Sequence, residues 1–171
     1  MRISGTWLGL PLLASLATLG GLSTVDAARL GTLVDTAEQE IASRWTSTHP
    51  KNRPAEQAAW ARLVWAQGCL GSSRATSQAT SRLTSAETSV PAGIRQQAAV
   101  LLGRRGTESD VSALKQGLSD AAPSVRSASA CALVRIQGKR GGQAALETKP
   151  FDAVAFQSAG SVLADAGAVN D

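Results

Sequence analysis

The segment IRQQAAVLLGRRG at 94–106 returns, in changed letters but in the same pattern, as VRSASACALVRIQG at 125–138. A branched aliphatic residue followed by Arg opens each copy (Ile94-Arg95, Val125-Arg126), and small residues hold the middle (Ala98 and Ala99; Ala128 and Ala130). A leucine sits near the end of each, and both Ile94 to Val125 and Leu102 to Leu133 are shifts of 31 positions. A period of that size with apolar residues at helical spacing marks stacked helical repeats, since one unit has too little apolar surface to bury alone and its neighbours complete the core. The expected fold class is therefore all-α, an α-solenoid of antiparallel helix pairs.

Working outward, Pro91 precedes a predicted helix over 93–103, and a second follows over 108–118 with Val111, Leu114 and Leu118 on one face. Pro123 suits the first turn of a helix predicted for 124–136, because the donor it lacks would have no intrahelical partner there. Gly138 to Gly142 predicts a break, then a short helix at 143–147. A final helix over 151–166 carries Val154, Ala155, Ser158, Ala159, Val162 and Leu163 inward, with Val154 following Val125 by 29 positions. Upstream, Leu30, Leu33, Val34, Ala37, Ile41 and Trp45 form the stripe of a leading amphipathic helix. Pro50, Asn52 and Pro54 predict a loop over 46–54. A helix is expected over 56–70, with Trp60, Leu63 and Val64 inward and at least one of Trp60 and Trp65 partly exposed. Ala75, Ala79, Leu83 and Ala86 space like a short, weakly apolar helix within a Ser- and Thr-rich stretch.

Residues 1–27 differ from the rest: Arg2 is followed by an uncharged run, Ile3 to Val25, rich in Leu, Ala and Gly, and Val25-Asp26-Ala27 offers small residues for cleavage. This is the layout of a secretory signal peptide, so an exported protein in the periplasm or outside the cell is expected, with no membrane association after cleavage. The domain plan is a signal peptide at 1–27, a leading helix and loop at 28–54, and a repeat domain of about three to four helix pairs at 55–171. The formal charge of the whole 171-residue chain, +4, is unchanged by losing Arg2 and Asp26. Basic doublets occur only at Arg104-Arg105 and Lys139-Arg140, and the chain has no Tyr and few Phe. That argues against nucleic-acid binding, which concentrates positive charge among aromatics. Cys69 and Cys131 fall in first helices two layers apart, too distant for a disulfide, and are expected as buried, unpaired thiols.

The string Leu118 to Leu133, with Asp120, Pro123, Val125-Arg126, Ala130 and Leu133 in order, resembles a HEAT repeat of the short kind associated with phycobilisome lyases. Ile94-Arg95 with Ala98, Ala99 and Leu102-Gly103 is similar, so the likeness covers about residues 90–138 and extends to the rest only by continuation. The resemblance implies a right-handed stack whose second helices line a concave face. It also implies that Arg126 and Asp120 belong to a structural polar ladder between layers.

No catalytic, cofactor-binding or metal-ligating set emerges from the sequence. His49 is the only histidine and lies beside Pro50 without a cluster of ligands or a nucleophile motif. Glu38 and Glu40 point to different sides of their helix and are expected to be solvated. Solenoids of this kind mostly present binding surfaces, so the expected function is a non-enzymatic protein–protein interaction scaffold. Arg82, Lys115, Gln116 and Gln143 are the candidate outward, partner-binding residues on the second helices. The alternative implied by the resemblance is a lyase-like enzyme, or enzyme subunit, acting on a chromophore-bearing protein.

Overall fold

A computed structural model describes residues 24–71, 74–85, 89–148 and 152–167. The cleavable segment expected at 1–27 lies outside these residues except for its last four, which form the first turn of a helix. Among the described residues there are α-helices and 3₁₀ turns but no strand. The helices are α1 (Thr24–Arg44), α2 (Arg53–Leu70), α3 (Ala75–Leu83), α4 (Ala92–Arg105), α5 (Val111–Gly117), α6 (Pro123–Gln137), α7 (Lys139–Glu147) and α8 (Ala153–Gly167). Helix α1 packs on α2; α2 packs on α4, α4 on α6 and α6 on α8. Beside that row, α3 lies against α4, α5 against α6, and α7 against both α6 and α8.

The two sequence copies therefore become α4 and α6, neighbours in one row. Their matching positions Ile94 and Val125, Leu102 and Leu133 are all fully buried, as are Ala98, Ala99 and Ala130. Each large aliphatic side chain buried there contributes roughly 1.5–3 kcal/mol. Small residues set the spacing. A Cβ on Gly103 would stand 2.9 Å from both Cα and Cβ of Ala132, so the backbones of α4 and α6 approach until only glycine fits.

Several local expectations are corrected. The loop at 46–54 is instead two 3₁₀ turns, Trp45–Ser47 and Pro50–Asn52, and α2 already begins at Arg53, with Pro54 tolerated in its first turn. The break expected over Gly138 to Gly142 shrinks to Gly138 alone, whose φ of +57° turns the chain between α6 and α7. Gly141 and Gly142 are helical and buried. A Cβ on Gly141 would collide with the Leu133 carbonyl, so this glycine permits α7 to fold back on α6 rather than ending a helix. In α8 the expected inward position Val154 is 58% exposed, while Ala155 and Ala159 are buried, so the third copy sits one residue out of the proposed register. Leu33 on α1 likewise faces outward, and Val34, Ile41 and Trp45 carry the buried stripe. Ala86 lies outside the described residues.

Candidate functional site

The copies carry matching polar contacts at the start of each first-row helix. Arg95 of α4 donates to Asp120 through Nε–Oδ2 at 2.7 Å and Nη2–Oδ1 at 2.9 Å, a bidentate charge-assisted pair. Asp120 Oδ1 also accepts the Ala122 N–H at 2.8 Å, so one carboxylate braces the turn that leads into α6 and ties α4 to it. In the next layer Arg126 of α6 pairs with Asp152. Asp152 Oδ1 in turn accepts the N–H groups of Val154 (2.9 Å) and Ala155 (3.0 Å) at the start of α8. Arg126 additionally donates to the carbonyls of Asp120 and Ala121, each at 2.8 Å. Each of these arginines thus pairs with the aspartate that precedes the next helix of the row, and Arg126 reaches the Asp120 carbonyl rather than its carboxylate.

The electrostatics of the two carboxylates agree with this role. Burial works to raise the Asp120 carboxyl, yet the Arg95 hydrogen bonds, the Ala122 N–H and the charges of Arg95 and Arg126 together hold it below the ordinary value. Asp152 is lowered chiefly by the Ala155 N–H and then by Arg126.

Of the four residues proposed as outward, Arg82 is corrected. It is buried within α3, and its guanidinium pairs with Glu38 of α1 at 2.5 Å. Glu38 is itself buried, contrary to the solvated position expected for it, and accepts Trp60 Nε1–H at 2.5 Å. Gln67 completes the cluster: its Oε1 accepts from Arg82 at 3.2 Å, and its Nε2 donates to Asp35 and Gln78, each at 2.7 Å. A buried cation requires a partner, and α1, absent from the repeat pattern, supplies it. Lys115 and Gln116 on α5 and Gln143 on α7 are exposed, and Gln143 is held by Glu147 of its own helix at 2.9 Å.

A hollow sequence reasoning missed opens instead across α4, α6 and α8. Its volume is about 320 Å³, and its lining includes Val100, Ala128 and Ala132, with Arg104 and Arg135 at the helix ends. The signal was present in the sequence, because Arg104 and Arg135 are again 31 positions apart. Cys131 also lines the hollow. It is half-buried, its Sγ donates to the Ser158 carbonyl at 3.3 Å, and burial pushes its thiol up against the opposing charge of Arg135. Both cysteines are free, as expected, but Cys69 is exposed rather than buried. His49 is exposed, and its Nδ1 accepts the Lys51 N–H at 3.3 Å. Trp60 is buried and stacks at a tilt on Trp45, 5.9 Å between ring centres, whereas Trp65 is exposed.

Among the described residues no group of His, Cys, Asp or Glu is arranged to hold a metal ion, and no helix is long and apolar enough to cross a membrane. No family model, curated protein or solved structure matches the chain.

Proposed function

We propose that this chain is a short HEAT-like, right-handed α-solenoid that serves as a non-enzymatic protein-binding scaffold, exported by way of residues 1–27. The observation that carries this reading is the recurrence of one polar rung in successive layers, Arg95 with Asp120 and Arg126 with Asp152. A rung repeated at the same place makes each layer a copy of the last, and serial layers offer the elongated surfaces on which solenoids hold their partners. Exposed Lys115, Gln116 and Gln143 on α5 and α7 remain the candidate contacts on the second-helix side. The lyase-like alternative requires an activated nucleophile, and a thiol raised by burial, as Cys131 is, disfavours the thiolate.

Site-specific photo-crosslinking of the full chain tests the reading. A crosslinker at Lys115 or at Gln143 is expected to trap a protein in the compartment where the mature chain resides, and crosslinking that is absent there and on the first-helix side would remove the scaffold reading. Mass measurement of the mature N-terminus tests export: a chain beginning at Ala28 is expected, and an intact Met1 contradicts it.

A further inference from the structure

Helices α4 and α6 contain no Asp or Glu, yet together they carry five arginines. Three are engaged: Arg95 by Asp120, Arg126 by Asp152, and Arg105 by the Gly68 carbonyl at 2.7 Å. Arg104 and Arg135, both exposed, have no ion-pair or hydrogen-bond partner among the described residues, and both border the hollow between α4, α6 and α8. The hollow is floored by Val100, Ala128 and Ala132, and no Asp or Glu lines it, so it combines a small apolar floor with positive charge that its own lining does not offset.

We propose that this hollow docks an acidic, extended peptide segment of a partner protein, with Arg104 and Arg135 pairing carboxylates two positions apart on one face of that segment. This rests on the protein-binding reading above and names the chemistry of the partner. Adjacent packed helices lie about 8–10 Å apart. Carboxylates at i and i+2 of an extended chain lie on one face about 7 Å apart, a spacing within reach of two long arginine side chains on neighbouring helices. The planar guanidinium forms bidentate bonds to carboxylates. The floor accepts only small side chains, and Gln96 and Ser127 in the lining can bond the guest backbone. Nucleic acid fits less well, because the lining holds no aromatic ring on which a base could stack.

The test uses the full chain and a fluorescein-labelled ten-residue peptide of alternating Glu and Ala, with a Lys/Ala peptide as control, read by fluorescence anisotropy. Binding of the Glu peptide alone is expected, weakening as salt rises. Arg104→Glu with Arg135→Glu is expected to lower affinity at least tenfold, while Arg104→Lys with Arg135→Lys retains binding within about threefold and Lys51→Glu, an exposed charge reversal in the turn between α1 and α2, changes it less than twofold. Circular dichroism verifies that the exposed substitutions leave the helices intact. Failure of the Glu peptide to bind, an equal loss in Lys51→Glu, or tighter arginine-dependent binding of a single-stranded oligonucleotide overturns the proposal. Crosslinkers separate its failure from that of the scaffold reading: trapping at Lys115 but not at Val100 refutes the groove alone, and trapping at neither position refutes both.

Discussion

The Arg95 guanidinium of α4 and the Asp120 carboxylate meet through contacts of 2.7 and 2.9 Å, and the same carboxylate accepts the Ala122 N–H at the entry to α6. One residue thus joins a local requirement to a long-range one. A helix start needs an acceptor for its unpaired N–H groups and favours negative charge. Once placed there, Asp120 gives the preceding layer's arginine a fixed target. Asp152 does the same for α8 and Arg126. The register between layers is therefore specified by polar geometry as well as by the aliphatic seam.

Acid weakens the fold through these carboxylates. Asp120 and Asp152 are both lowered from the ordinary 3.8 in the folded chain, so the unfolded chain takes up protons first as pH falls. Their stabilisation is complete above the ordinary carboxylate value and is lost as pH drops from there through the lowered values. Urea unfolding of the wild type is expected to show little change from this source between pH 7 and 5 and a steep loss below about pH 4. Asp120→Asn with Asp152→Asn flattens that acid limb; an unaltered limb contradicts the assignment.

Arg82 is structural, and its loss costs far more than that of an exposed residue. Arg82→Ala leaves Glu38 buried without its cation and is expected to cost about 3–5 kcal/mol, with α1 loosened from the domain. Lys115→Ala, on exposed α5, stays within about 0.5 kcal/mol. Thermal melts of the two variants decide between them, and equal melting temperatures would place Arg82 on the surface after all.

The glycines divide into those that let backbones meet and those that do not. At Gly103 an added Cβ meets Ala132 at 2.9 Å, and at Gly141 it meets the Leu133 backbone, whereas at Gly160 nothing lies within 4 Å. Gly103→Ala and Gly141→Ala are each expected to destabilise by about 1–3 kcal/mol through overpacking. Gly160→Ala, inside α8, stabilises by about 0.5–1 kcal/mol. Denaturant midpoints give the signs directly.

Thiol labelling separates the two cysteines. Exposed Cys69 is expected to react with an aromatic disulfide reagent in a fast phase that Cys69→Ser removes. Half-buried Cys131, its thiol raised by burial, reacts in a slow phase that accelerates as pH rises. A single phase of amplitude two contradicts these environments.

Much of the architecture was legible because the repeat is written in residue types whose burial follows from chemistry. Ile94, Leu102, Val125 and Leu133 could be placed in the core from period alone, and the structure buries all four. Asp120 and Pro123 announced the start of α6. The pattern failed where long-range geometry outweighed local preference. Gly141 and Gly142 resemble a break to any local rule, since glycine disfavours helix, but here they answer a close approach to Leu133 that no window of sequence contains. In α8 the hydrophobic signal points to the wrong residue, because the larger Val154 is exposed and the smaller Ala155 is buried, close packing being possible only for the small side chain. Arg82 reads as outward in the sequence because its partner, Glu38, is 44 positions away in a helix outside the repeat. The hollow beside Arg104 and Arg135 arises between helices, and only their shared 31-residue spacing hinted at it.

The polar rungs tie α4 to α6 and α6 to α8, and a double-mutant cycle tests them most directly. Arg95→Met keeps the apolar stem, and Asp120→Asn keeps an acceptor for the Ala122 N–H, so the pair isolates the link between α4 and α6. The expected coupling energy is about 1–3 kcal/mol for Arg95 with Asp120, and no more than about 0.5 kcal/mol for Arg95 with Asp152. Strictly additive losses for Arg95 and Asp120, or equal coupling of Arg95 to both aspartates, would contradict a layered stack joined rung by rung.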